Sequence, residues 1–329
     1  MPMPSVPANA AAEPEENAPA SRGFATRAMP ADARLRAWEE YNEQALFGLR
    51  ASTLAAEGLL AEQRNLIVGR SHLTEIVGNT HVIERTPDAI ARKPVDTVMM
   101  CLMLRGDAFV YHARGAEPIR AGDAVVYDSD TPFMYGFSGD NHQVILEVPR
   151  TVFQGRIAEE GVPVPRVLRL RDAAETRRWS GTSARLMLDA LRHPDASHED
   201  LEQRLLDLQT WLVDPRAAGA DGYVLAAQEF IRGHLGDHDL SAGRIAAASG
   251  ISERHLRRVF ADAELTVAGF VTRQRLERAL ELLTDPLRPD RPIADIAAAV
   301  GYAAPEHFSR AFRAHFHLTP TAAREAARS

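Results

Sequence analysis

The chain has 329 residues, 45% of them apolar and 25% charged, a balance that suits a folded chain of about two ordinary domains. No apolar run reaches the roughly 18 residues of a membrane span, and the single cysteine, Cys101, excludes an internal disulfide. A cytoplasmic protein with no membrane partner is therefore expected. The net charge of −7 lies wholly in the first 216 residues, because the stretch from Ala217 to Ser329 balances fourteen Arg against fourteen Asp plus Glu. A neutral segment of this kind can bind DNA when its arginines gather on one face.

In chain order, "MPMPSVPANAAAEPEENAPASRG" lacks the basic-then-apolar order of a secretory leader, and residues 1–30 read as a disordered tail. Leu35, Trp38, Tyr41 and Leu46 then recur at helical spacing. From about Asn65 to Arg150 the texture changes to short β-like runs: "DTVMMCLMLRG", "DAFVYHARG", "AGDAVVYDSDTP", "PFMYGFSGDN" and "HQVILEVPR". Their spacing, with tight turns at Gly106-Asp107 and Gly122-Asp123, predicts a sandwich or small barrel. "TRRWSGTSARLMLDALRH" and "SHEDLEQRLLDLQTWLV" return to helix. The second carries Leu201, Leu205, Leu208 and Leu212 on one stripe, and Ser197 with Asp200 reads as a capping box. This helical pair packs on the β domain, forms a dimer surface, or does both. Residues 214–221, "DPRAAGAD", read as a linker, and everything beyond is helical.

The helical part says one thing twice. "RIAAASGISERHLRRVF" (Arg244–Phe260) reads as helix, tight turn, helix: Ile245 and Ser249 share a face, Ala246 admits a close neighbour, and Gly250 sits where the turn needs positive φ. Ile251 tucks into the angle, Ser252 caps the next helix, and Leu256 with Val259 or Phe260 returns to the core. In "IADIAAAVGYAAPEHFSRAF" (Ile293–Phe312), Ile296, Ala297, Val300, Gly301 and Tyr302 repeat those roles, with Phe308 and Phe312 answering Leu256 and Phe260. One helix-turn-helix match alone is a weak signal, whereas two, spaced 51 residues from Gly250 to Gly301, are a strong one. Between them "VAGFVTRQRLERALELL", ended by Asp285-Pro286, places Phe270, Leu276, Leu280 and Leu283 on one stripe of a linker helix.

These residues resemble the DNA-binding domain of the AraC/XylS family over about residues 222–324, and the β-rich segment is similar, more loosely, to its cupin-like sensor domains. The resemblance implies an α+β chain: an N-terminal cupin-like β-barrel or sandwich with flanking helices (31–213) for effector binding and dimerisation, and a C-terminal all-α domain (222–329) with two helix-turn-helix motifs. It also implies double-stranded DNA, RNA polymerase and a small-molecule effector as partners, a possible homodimer, and activation as the commoner outcome. Two places depart from the family pattern. His317 stands where a Gly is usual, and Ala323 where an aromatic residue is usual.

Arg254, Arg257 and Arg258 occupy the reading face of the first recognition helix, where a planar guanidinium can donate two hydrogen bonds to guanine. Glu306, His307 and Arg310 hold the matching places in the second, with Pro305 and Glu306 making it the weaker reader. Ser252, Ser309 and Arg275 are candidate phosphate contacts. For the effector, the inward side chains are expected to be Met100, Leu102, Phe109, Tyr111, Tyr127, Phe133 and Tyr135. An enzyme or ligand-binding module with a helical association tail is the alternative. Catalytic cupins, however, gather His-x-His with a carboxylate, while His72, His81, His112 and His142 stand apart. No metal, cofactor or catalytic residue is expected, and Cys101, in "VMMCLML", reads as a buried structural thiol.

Overall fold

The computed structural model describes residues 21–194, 200–285 and 288–328. The first half is built on two antiparallel sheets. One has seven strands in the order β1 (Ser21–Ala25), β3 (Ala61–Val68), β4 (Ser71–Gly78), β11 (Asn141–Pro149), β6 (Thr97–Arg105), β9 (Ala124–Asp128) and β12 (Arg166–Leu168). The other has five: β2 (Arg50–Ser52), β5 (His81–Arg85), β10 (Phe133–Phe137), β7 (Asp107–His112) and β8 (Gly115–Arg120). The two sheets remain separate, so the expected barrel or sandwich is a sandwich.

Period-two alternation assigns each strand its two faces. On the inner face, Met99, Cys101, Met103, Val125, Tyr127 and Ile145 meet Val110, Phe133, Tyr135 and Phe137 of the smaller sheet. Helix α1 (Arg34–Ala45) adds Trp38 to this core. On the outer face, Val98, Met100, Leu102, Val144 and Leu146 meet two helices, α4 (Ala174–Arg192) and α5 (Leu201–Val213). The expected stripe of Leu201, Leu205, Leu208 and Leu212 is fully buried there. Short helices α2 (Pro87–Arg92) and α3 (Arg150–Arg156) follow β5 and β11.

Three expectations change. The tail yields a strand at Ser21–Ala25: β1 pairs with β3, and Phe24 stacks on Tyr41 at 4.3 Å. The rest of the tail, residues 1–20, lies outside the described residues, as does Ser197 of the expected capping box. Helix α5 starts instead from Asp200, in a left-handed conformation (φ 59°) with no side-chain cap. The supposed linker is helical, a 3-10 turn at Pro215–Ala218 running into α6 (Gly219–Gly233). Helix α6 is held from both sides. Leu225 and Ala226 join the core under the larger sheet, while Val224, Ala227 and Ile231 join that of the next unit.

The remainder is helical: α7 (Ala242–Ser249), α8 (Glu253–Asp262), α9 (Val267–Thr284), α10 (Ile293–Ala299), α11 (Pro305–Phe316) and α12 (Pro320–Arg328). It has two cores divided along α9. Phe270 belongs with Ile245, Ala246, Leu256 and Phe260; Leu276, Ala279 and Leu283 belong with Ile296, Ala297, Phe308 and Phe312. Burying each such Phe or Leu contributes about 1.5–3 kcal/mol, so each small unit has a core of its own. Helix α9 ends at Thr284 with Asp285 as its cap residue, and Pro286 lies outside the described residues.

Candidate nucleic-acid interface

The first motif is built by its caps. The Ser241 hydroxyl accepts from the Arg244 amide to start α7, which ends on Gly250 at φ 71°. The Ile251 amide then donates to the Ala246 carbonyl at 3.1 Å, folding Ile251 into the angle. The Ser252 hydroxyl accepts from the His255 amide at 3.2 Å to start α8. The second motif repeats the turn: Gly301 has φ 80°, and the Tyr302 amide donates to the Ala297 carbonyl at 2.9 Å. Helix α11 begins with Pro305, whose missing N–H costs nothing in a first turn. The matched helix residues Ile245 and Ile296, Ala246 and Ala297, Ser249 and Val300, Leu256 and Phe308, and Phe260 and Phe312 are all buried, while Ile251 and Tyr302 in the turns are partly buried.

With those faces buried, the outward faces follow. Arg254, Arg257 and Arg258 are all exposed on α8. Arg257 pairs with Glu253 one turn earlier, a pair that steadies the helix and aims the guanidinium. Arg254 and Arg258 have no side-chain hydrogen bond or ion pair among the described residues. On α11, Glu306, His307 and Arg310 are exposed and Ser309 is half-buried. Glu306 lies in the first turn of α11, where a carboxylate suits the positive end of the helix dipole. The Ser252 oxygen serves the cap, which leaves its O–H free to donate outward.

Arg275 behaves differently from the expectation. Its guanidinium is turned inward, with Nε donating to the Leu235 carbonyl at 3.1 Å and Nη2 to the Asp237 carbonyl at 2.7 Å, beside the Tyr302 ring. It braces the loop before α7 against the second motif, so the guanidinium expected to touch phosphate is already engaged within the protein through Nε and Nη2. Two residues near the first head escaped the sequence reading. The Arg178 guanidinium of α4 lies against Gly250. Tyr223 of α6 packs on His255 at 5.4 Å and donates to Glu175 of α4 at 3.2 Å. Neither has a local sequence signal, because each contact joins distant segments.

The seven expected effector residues divide. Tyr127, Phe133 and Tyr135 face the sandwich interior. Met100 and Leu102 point to the other face, under α4 and α5. Phe109 and Tyr111 are on the outside of the smaller sheet, 39% and 55% exposed. The reason lies in the strands. On β6 both faces are buried, so no alternation marks the inner one, and on β7 the small inward residues Ala108 and Val110 leave the aromatic ones outside. Polar inner-face residues that the sequence reading missed are Gln63, Thr74, Gln143 and Glu147, all buried. The Cys101 thiol donates to Gln143 Oε1 at 2.9 Å, and burial pushes its pKa up to about 12. The four histidines are separate: His72 lies by Glu147, His81 by the Asn79 carbonyl, His112 by Glu117 and His142 by Glu75.

A sandwich joined to two helix-turn-helix units with outward arginines has the architecture of a two-domain DNA-binding protein. Comparison with known proteins agrees. The AraC-binding-like domain matches residues 38–211, and a helix-turn-helix domain matches residues 245–326. The first match alone spans more than half of the chain, and the chain belongs to the AraC family of transcription regulators. Transcriptional activator NphR of Rhodococcus sp is 26% identical over 270 residues, 77% of each chain. Regulatory protein SoxS of Salmonella typhimurium is 39% identical over 95 residues, 28% of this chain and 84% of that one. The crystal structure of the AraC-like transcriptional activator CuxR is 18% identical at a TM-score of 0.47, covering 79% of this chain and 94% of its own. The protein is a DNA-binding transcriptional regulator.

Proposed function

We propose that this regulator is an effector-responsive activator in which α8 reads bases in the major groove and α11 chiefly grips the backbone. The observation that carries this reading is the contrast between the two outward faces. Three exposed arginines stand on α8, while Pro305, Glu306, His307, Ser309 and Arg310 stand on α11. Arginine forks suit guanine edges, whereas Glu306 limits its helix to an occasional cytosine amino group and repels phosphate. Residues 31–213 would hold the effector and pair two copies, and residues 222–329 would hold the DNA. The name of the NphR relative supports activation, which requires contact with RNA polymerase. The place of action would be the cytoplasm. Among the described residues no helix is long and apolar enough to cross a membrane. We assign the chain no catalytic role: its features are accounted for by binding.

Selection of the full-length protein on a random duplex pool at physiological salt tests this. The expected result is a motif with one strongly specified half and a weaker half about one helical turn, roughly 34 Å, away. Two equally specified halves would overturn the division of labour. No enrichment by a folded protein would overturn specific recognition altogether.

A further inference from the structure

Helix α4 of the sandwich half reaches the first reading head and places a cation there. Arg178 lies against the turn of the first motif: a Cβ on Gly250 would overlap its Cζ and Nη2 and stand 2.6 Å from Nη1. Glu175, one turn earlier on α4, accepts from the Tyr223 hydroxyl at 3.2 Å, and the Tyr223 ring packs on His255 of α8 at 5.4 Å. These contacts fix the start of α4 beside the start of α8. Arg178 itself is half-buried, and its side chain makes no hydrogen bond or ion pair among the described residues.

A guanidinium carries five N–H donors. Held by the turn on one side, Arg178 keeps them for an acceptor outside the protein. The carboxylates on the adjoining turns of α4 and α8 are engaged elsewhere, Glu175 with Tyr223 and Glu253 with Arg257. The acceptor that this part of a DNA-binding protein meets is the duplex. Gly250 stands two residues before Ser252, whose cap leaves its O–H free, and four before the exposed Arg254. A recognition helix enters the major groove by its N-terminal residues, and phosphates line the edges of that groove. A donor beside α8, rather than on it, suits the backbone and not a base edge.

We propose that Arg178 is a further DNA contact: through α4, the sandwich half supplies a guanidinium that donates to a backbone phosphate beside the first head. This rests on the reading of α8 as the helix in the major groove. It also gives the sandwich a direct hold on affinity. Movement of α4 relative to α8 makes or breaks one phosphate contact, which alters binding strength without altering base preference.

The test is equilibrium binding of the full-length protein, over a range of salt, to a duplex carrying the selected motif and to a random duplex. Arg178→Gln should weaken both by the same factor. It should also lower the steepness of log K against log salt by about 0.9, the signature of one phosphate lost. Arg178→Lys, which keeps the charge, should restore the slope, and thermal unfolding of each variant checks the fold. An unchanged slope would mean that the guanidinium only packs on the turn, at the negative end of α7. A loss confined to the selected duplex would mean base reading, and tighter binding by Arg178→Gln would mean that the contact holds the head off DNA. Each of these overturns the proposal. Arg257→Ala separates it from the reading beneath: if that variant loses specific binding, α8 remains the reader, and if neither variant loses affinity, both fall.

Discussion

His81 enters the sandwich as a neutral ring. It stacks on Phe137 at 4.5 Å, its Nδ1 lies 2.7 Å from the Asn79 carbonyl, and burial pushes its pKa down to about 4. The unfolded chain takes up this proton near pH 6.5 and the folded one only near pH 4, so the unfolded state binds more protons in between. Stability from this group is therefore complete above pH 6.5 and falls by about 3 kcal/mol as pH drops towards 4. Chemical denaturation from pH 7 to 4 should show that slope, and His81→Gln should remove most of it. At the end of α11, His317 closes the helix at φ 60°, a left-handed conformation that costs a side-chain residue about 1 kcal/mol and glycine little. His317→Gly should raise stability by about 0.5–1 kcal/mol in urea unfolding. On the reading face, Arg257→Ala should cost about 1–3 kcal/mol of specific binding and relax preference at one base position. Equal losses on specific and random DNA would show a phosphate contact instead.

At the scale of elements, the two helix-turn-helix units were legible because each needs a local grammar: small residue, glycine at positive φ, capping serine or proline, then an aromatic or leucine. The strands of the sandwich core were legible as strands, but their inner faces were not. A strand buried on both sides, such as "TVMMCLMLR", carries no alternation, so its register is set by partners far away in the chain. The same holds for Arg275, whose partners are the carbonyls of Leu235 and Asp237. Gly301 shows how closely these elements fit. A Cβ there would overlap the Leu235 carbonyl and stand 2.6 Å from Arg275 Nη2, on a backbone at φ 80°. Neither carbonyl nor strut can move without opening the turn, so Gly301→Ala should destabilise the second unit by more than about 2 kcal/mol. Limited proteolysis should then cut first beyond Thr284. The first unit, with its own core, should keep its half of the DNA motif.

For the whole molecule the decisive element is α6, whose first three residues read from sequence as linker and whose whole length is a helix held by two cores. Its two apolar faces enter different cores, and its polar edge carries a chain of contacts. Arg204 of α5 donates to Glu229 at 2.6 Å, Arg232 donates to the same carboxylate oxygen, and Arg232 Nε reaches Gln274 of α9 at 2.8 Å. The chain thus runs from a helix packed on the sandwich to the helix that spaces the two heads. Beside it, Tyr223 ties Glu175 of α4 to His255 of α8. A ligand can alter DNA binding only through elements whose arrangement both sites share, and α6 is such an element. Glu229→Gln leaves two guanidiniums facing each other without their shared charge. Because both arginines are partly exposed, at 20% and 30%, the expected cost is about 1–3 kcal/mol. The sharper outcome concerns cooperativity: calorimetry should show one transition for the unaltered chain and, for the variant, separate unfolding of the sandwich and of the heads. A single transition in Glu229→Gln would mean that the apolar faces of α6 join the two halves without the charged edge.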